Sequence, residues 1–303
     1  MRAVADLIES VFAGGLDPDG RRMLRWMRRL SRVGWIGWVL NYWLLPPAAH
    51  PFGFVWEVDG RIVGNASLLR VEGYLRRWVL SNVAVYPDHR RRGIGRALVQ
   101  ASINMVQRRR GEVILLQVER DNRDAQVLYA SYGFRPLSTR TTWVRRKYQA
   151  LPVTAEYGLA RRRKRGEWHE QWELARRVHP EGLIWPFPAA ASLFHSHSLT
   201  GAFGLHSMRH WVWSEGGKLI ASLVARRGIE RGIWRLILVV EPQARGRVEA
   251  GLLARVLDDL TPSNHIVLDY PAGLAVVELR ELGFQPERTL TWMAFDMSNN
   301  LNG

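Results

Sequence analysis

The stretch VYPDHRRRGIGRALV, residues 85–99, constrains the fold of this chain more than any other segment. It reads as the end of an apolar strand, a proline stop, and then arginines and two glycines that open a helix. Gly93 and Gly95 lack a Cβ, so a ligand can approach the backbone closely there. The first amides of the helix, Ile94 through Arg96, have no intrahelical acceptor and point outward. The helix dipole adds partial positive charge at the same place. Such a cradle suits a diphosphate. Two familiar glycine signatures do not fit it. The dinucleotide pattern G-x-G-x-x-G meets Leu98 where its third glycine belongs, and no G-x-x-x-x-G-K-[ST] loop is present. What stands here is R-x-x-G-x-G, carried by Arg90, Gly93 and Gly95.

A second segment narrows the reading. LLQVERDNRDAQVLYASYGF, residues 115–134, starts as a strand and turns at Asp121–Asn122, either of which can cap a helix. Ala125, Leu128, Tyr129 and Tyr132 follow at helical spacing, and Gly133 is placed to end the helix in a left-handed turn. Together the two segments resemble the GNAT superfamily of N-acetyltransferases, whose acetyl-CoA motif is R-x-x-G-x-G and whose later pattern is strand, N-x-x-A-x-x-L-Y, then G-F. The resemblance implies an α/β fold with a mixed sheet, in which the strands ending at Val85 and Val118 splay apart with the cofactor between them.

The order of elements agrees. Residues 52–58 and 61–69 read as a hairpin around Asp59-Gly60, residues 78–85 as a third strand, 95–110 as an amphipathic helix and 113–118 as the next strand. The pattern then repeats. The segment from Val239 overlays that from Ala84 at an offset of 155, matching Pro242 to Pro87, Arg245 to Arg90 and Leu253 to Leu98. Gly283-Phe284 overlays Gly133-Phe134 at an offset of 150, and a second hairpin turns at Gly216-Gly217. We therefore expect two tandem GNAT-like domains, 1–150 binding acetyl-CoA and 151–303 a degenerate copy that helps to form the substrate cleft. The boundary is expected near Ala150–Thr154. Gly93 and Gly95 become Val248 and Ala250 in the second copy, Asn122 becomes Ala272 and Tyr129 becomes Leu279. A β-branched Val248 is expected to obstruct the phosphate. The first copy shows no obvious strand before its first helix, and the C-terminal half is a candidate source of what is missing.

The resemblance also implies roles. A neutral amine attacks the thioester directly, and a backbone N–H among Val83, Ala84 and Val85 meets the developing oxyanion. Tyr129 stabilises the leaving thiolate and delivers a proton late. Asn122 holds the cofactor arm or its neighbouring loop. Arg90, Arg91, Arg92 and Arg96 surround the diphosphate, while the amides at Gly93, Ile94 and Gly95 grip it. In the related ribosomal-protein alanine acetyltransferases a glutamate stands five residues before the Asn. Here that position is Gln117, which cannot act as a base; Glu119 lies on the same strand face. Glu72 and Asp121 are further candidates, as is a water chain to a distant carboxylate. The aromatic group Trp35, Trp38, Tyr42 and Trp43 is either acceptor wall or core.

The chain carries 43 basic and 28 acidic residues, a net charge of +15, with only three lysines. Such a surface draws in coenzyme A and leaves RNA or an acidic protein as partners to be weighed. The run Arg161-Arg162-Arg163-Lys164-Arg165 is expected to be a solvated face. Cysteine is absent, which removes any acyl-cysteine intermediate. The pairs His195/His197 and His206/His210 lack a third ligand at metal-like spacing, so no metal is expected. No secretory signal or membrane span is read, so a cytoplasmic monomer or homodimer is the expectation. The alternatives to catalysis are an acetyl-CoA-binding sensor module and a basic RNA- or ribosome-binding scaffold.

Overall fold

The computed structural model describes residues 2–12, 24–25, 27–29, 52–71, 74–146, 157–179, 183–184, 187–188, 191–195, 208–227, 233–260 and 265–297. The aromatic group at 35–43, Glu72, His197, His206 and the stretch 150–154 lie outside the described residues. The chain divides into two compact units. Unit 1 comprises Met1–Ser138 with Leu290–Gly303, and unit 2 comprises Thr139–Thr289.

Unit 1 begins with helix α1 (Arg2–Phe12), followed by β1 (Phe52–Val58), β2 (Arg61–Val71) and β3 (Tyr74–Val85). Asp59 and Gly60 both take positive φ, 49° and 76°, as a two-residue hairpin turn requires. Helix α2 (Ile94–Arg108) buries Ile94, Leu98, Val99, Ile103 and Val106 on one face. Strand β4 (Val113–Glu119) and helix α3 (Arg123–Ala130) follow. Gly133 at φ 93° lets the chain leave α3 and enter β5 (Arg135–Arg145). Gly111 has no room for a Cβ, which would fall 2.3 Å from Val106 and 2.8 Å from Trp78.

Unit 2 repeats this order. After β6 (Ala160–Arg162), α4 (Trp168–Val178), the two-residue pair β7 (Leu183–Ile184) and β8 (Phe187–Pro188), and α5 (Ala191–Phe194), it runs β9 (Met208–Glu215), β10 (Lys218–Arg227), β11 (Ile233–Val240), α6 (Glu249–Asp259), β12 (His265–Pro271), α7 (Val276–Glu281) and β13 (Gln285–Asp296). In both units three antiparallel strands lead to one parallel pair: β1-β2-β3-β4 in unit 1 and β9-β10-β11-β12 in unit 2.

The two halves exchange their last strands. In unit 1, β4 pairs antiparallel with β13, Val113 opposite Asp296 and Glu119 opposite Leu290. In unit 2, β12 pairs antiparallel with β5, Ile266 opposite Arg145 and Pro271 opposite Arg140. The C-terminal half thus supplies unit 1 with a strand, at the β4 edge rather than ahead of α1. Met293, Phe295 and Met297 belong to the core of unit 1 together with Leu80, Leu98, Ile114 and Phe134.

The arginine run extends from the edge strand β6 as the expected solvated face, with Arg162, Lys164 and Arg165 exposed, and three of its members are also paired within unit 2. Arg161 pairs with Glu167 at 2.7 Å and reaches Ser214, and Arg162 pairs with Asp259 and covers the Trp211 ring at 4.3 Å. Arg163 donates to Gln171 and to the Phe194 carbonyl. His210 is buried, its Nδ1–H donates to Gln171 Oε1 at 3.2 Å, and its pKa is pushed down to about 3 by desolvation and by Arg163. His195 packs edge-on against Trp168 at 4.7 Å. Among the described residues no helix is long and apolar enough to cross a membrane, and no group of three metal-ligating side chains converges.

Strand exchange makes a direct prediction. A fragment ending at residue 150 leaves the apolar β4 edge uncovered and the unit 1 core without three side chains. It should be aggregated or lack a cooperative melt by size exclusion and circular dichroism. Co-expression with residues 151–303 should restore a soluble, cooperatively melting complex.

Candidate active site

The site of unit 1 is built where β3 and β4 stop pairing. Their parallel register runs from Arg77–Val113 to Leu80–Leu116 and ends there, while β3 continues to Val85 and β4 to Glu119. What turns β3 away is a bulge. Asn65 stands opposite Ala84 and Ser67 opposite Ser81, so Asn82 and Val83 together face the single residue Ala66. Asn82 takes φ 51°, a left-handed conformation that Asn tolerates better than most residues. The buried Asn65 side chain holds it, donating from Nδ2 to the Asn82 carbonyl at 2.9 Å and to Ser67 Oγ at 3.1 Å. Asn65 and Asn82 were missed in the sequence. The available signal was an Asn inside an otherwise apolar strand, SNVAV, with a second Asn in the preceding one.

Beyond the bulge, Val83, Ala84 and Val85 form the end of β3, and Ala84 is buried. The chain then makes a single 3-10 turn, Pro87–His89. Arg90 folds back, its Nε donating to the Val85 carbonyl at 3.1 Å. Arg91 takes φ 61° and pairs with Asp124 at 2.7 Å. Gly93 sits at φ 79° and caps α2 without any side-chain bond. A Cβ on Gly93 would meet nothing within 4 Å, so the glycine is required by its backbone conformation and opens onto free space. Gly95 differs: its Cβ position lies 3.6 Å from Leu128. Arg92 and Arg96 are exposed, and Arg96 lies over the Tyr132 ring at 5.9 Å. The Tyr132 hydroxyl donates to the Arg96 carbonyl at 2.8 Å, which ties the start of α2 to the end of α3.

Tyr129 lies on the buried face of α3, 7 % exposed, its ring tilted against Phe134 at 5.8 Å. Desolvation pushes its pKa up to about 12, so the hydroxyl stays protonated and able to donate throughout the ordinary pH range. Asn122 is exposed and caps α3, its Oδ1 accepting from Ala125 N at 3.1 Å. Glu119 is exposed at the end of β4, Gln117 is half-buried, and Asp121 is exposed. The fit to a diphosphate-bearing ligand is good on the loop side. The cradle at Gly93 is open, α2 starts without a side-chain cap, and the exposed Arg92 and Arg96 flank it in sequence.

Comparison with known proteins follows this geometry. Residues 21–134 match the sequence model described as "Acetyltransferase (GNAT) family". The [Ribosomal protein bS18]-alanine N-acetyltransferase of Escherichia coli K12 is 38 % identical over 64 residues, which cover 21 % of this chain and 43 % of that one. This chain therefore spans less than half of that relative's length. Among solved structures, a GCN5-related N-acetyltransferase from Sphaerobacter thermophilus matches with a TM-score of 0.64 at 18 % identity, over 97 % of this chain and 91 % of that one. A tandem GNAT protein from the clavulanic acid biosynthesis pathway matches with a TM-score of 0.51 at 16 % identity, over 84 % and 86 %. Residues 21–134 thus match the GNAT acetyltransferase family, and the fold of the chain is like that of a tandem GNAT protein.

Proposed function

We propose that this chain transfers an acetyl group from acetyl-CoA to a primary amine at one site, in unit 1. The observation that carries the reading is the conjunction of the parted β3 and β4 with the open, left-handed Gly93 at the head of α2. Acetyl-CoA supplies an activated thioester and a diphosphate handle. The cradle formed by Gly93, Ile94 and Gly95 holds the diphosphate through backbone amides, with Arg92 and Arg96 adding positive charge. The end of β3, Val83 to Val85, presents backbone N–H groups toward the reacting carbonyl, and the bulge at Asn82 aims them.

Tyr129 acts as a hydrogen-bond donor to the departing sulfur. A thiol releases its proton near pH 8.5, whereas Tyr129 does so at about 12, so complete proton transfer from the tyrosine is unfavourable. Its contribution is stabilisation of the thiolate by a short, desolvated hydrogen bond, and late proton delivery is the minor part of its role. Glu119 is the candidate base. It is exposed and within reach of solvent, so it serves as a terminal proton acceptor rather than a buried one. The acceptor is a small-molecule or protein amine. The bS18-alanine acetyltransferase relative points to protein N-termini, while Gln117 departs from that enzyme group's glutamate.

Titration calorimetry with acetyl-CoA tests the reading. One site per chain is expected, and none in Gly93→Val, because a β-branched residue at φ 79° costs about 1–3 kcal/mol and misdirects the first turn of α2. Two sites, or none in the wild type, would overturn it. With an amine acceptor identified by coenzyme A release, Tyr129→Phe should lower kcat by about 10²-fold with little change in KM.

The bulge makes an independent prediction. Asn82→Val should lower stability by about 1–3 kcal/mol and depress kcat, whereas Asn82→Gly, which accepts φ 51° freely, should retain most of both. Equal losses in the two variants would show that the side chain, not the backbone conformation, matters.

A further inference from the structure

Unit 2 keeps the framework of the cradle and then departs from it at two successive residues. Its 3-10 turn, Pro242–Ala244, repeats Pro87–His89, and Gly246 at φ 80° repeats Arg91 at φ 61°. Val248, in the place of Gly93, has φ −109° and is fully buried in the core of unit 2. It therefore does not stand in the path of a phosphate, which corrects the obstruction expected from the sequence. The next residue decides the matter. Unit 1 has Ile94, which packs into its core; unit 2 has Glu249, only 1 % exposed.

The Glu249 carboxylate turns back into the loop. It accepts from Gly246 N at 3.0 Å and 2.8 Å on its two oxygens, and from Val248 N at 3.2 Å. The Tyr270 hydroxyl donates to it at 2.6 Å. Tyr270, 2 % exposed, lies on β12 two residues past Leu268, the last residue paired in parallel with β11. Its side chain thus reaches from the parted end of β12 to the head of α6, along the route a cofactor arm would take. The matching position in unit 1, two residues past Leu116, is the buried Val118, a smaller apolar residue of the unit 1 core. Burial and the carboxylate both push the Tyr270 pKa up, so this hydroxyl remains a donor. Arg140 and Arg245 lie near enough to oppose that shift and line a small cavity beside Tyr270. A buried carboxylate is costly unless fully bonded, and these charge-assisted donors meet that need.

We propose that Glu249, clamped by Tyr270, is a resident anion in the cradle of unit 2, in the place where unit 1 takes the diphosphate of acetyl-CoA. The inference rests on that reading of unit 1. Unit 2 is closed by its own side chains, and removing the carboxylate leaves its donors available to an external anion.

The experiment uses the full chain with Gly93→Val as background, so that unit 1 is silent, and inorganic pyrophosphate as the probe. Glu249→Ala should gain one pyrophosphate site, bound at least about tenfold more tightly than in the background, and pyrophosphate should raise its Tm while leaving that of the background unchanged. A folded Glu249→Ala chain with no gain in binding overturns the proposal. Should that variant lose its cooperative melt, Glu249→Gln keeps the side-chain length and removes the charge. Its Tm should fall, and pyrophosphate should recover part of the loss; a loss that pyrophosphate does not recover overturns the proposal equally. A wild type that fails to bind acetyl-CoA removes the reading of unit 1 but does not touch the gain of pyrophosphate binding, so the two failures are separable.

Discussion

Everything in this molecule that bears on function follows from two parallel strands that stop pairing. Parallel strands held together to their ends would satisfy each other's backbone groups and leave no slot. Here the ladder ends at Leu80–Leu116 in unit 1 and at Leu236–Leu268 in unit 2. Past those points the facing edges carry donors and acceptors that need partners. In unit 1 the parting is enforced by the Asn82 bulge, which Asn65 holds from the neighbouring strand. In unit 2 the corresponding gap is spanned by the Tyr270 side chain. One geometric device has two local solutions, an open slot and an internally bonded one.

Strand exchange binds the two halves of the sequence into a shared dependence. The partner of β4 on its far side is β13, whose Met293, Phe295 and Met297 complete the unit 1 core. The partner of β12 is β5, whose Trp143 enters the unit 2 core. The second copy, with Val248 and Ala250 where unit 1 has Gly93 and Gly95, still supplies unit 1 with the strand that supports β4.

Local signals were legible wherever backbone conformation dictates residue type. The Asp59-Gly60 turn, the left-handed Gly93 and Gly133, and the helical spacing around Tyr129 all follow from φ preference or periodicity within a few residues. The repeat was legible because Pro87 and Pro242 open the same 3-10 turn. What lay hidden depends on partners distant in sequence. Nothing in β5 or β13 by itself tells which of two similar edges it will join, because both run antiparallel beside equivalent strands. The Asn65–Asn82 bond joins two strands across a hairpin. Val248 was read as an obstruction because its identity changes at the critical position, yet a change of φ from 79° to −109° sends it into the core. The arginine run was legible as a solvated edge face, but the partner of Arg162 was not, because Asp259 is supplied by the end of a distant helix.

Under the proposed function, the exposure of Glu119, the candidate base among the described residues, bears on which amine can serve as acceptor. Tyr129, held at about 12, is a hydrogen-bond donor and takes no proton from an ammonium. Gln117 cannot take one, and Glu119 is exposed to water. With the exposed Glu119 as the terminal proton acceptor, deprotonation takes place in contact with solvent, and the share of amine that is neutral there follows its own pKa. An α-amino group with a pKa near 7.7–8.0 is roughly 25–40 % neutral at pH 7.5, whereas a lysine side chain near 10.4 is neutral in only about one molecule in a thousand. That difference of more than two orders of magnitude falls directly on the apparent rate for a fixed total amine concentration. A site with this donor and with the exposed Glu119 as its proton acceptor thus favours weakly basic amines, such as peptide N-termini, over strongly basic ones. It does so through the chemistry of proton release rather than through the shape of the acceptor pocket.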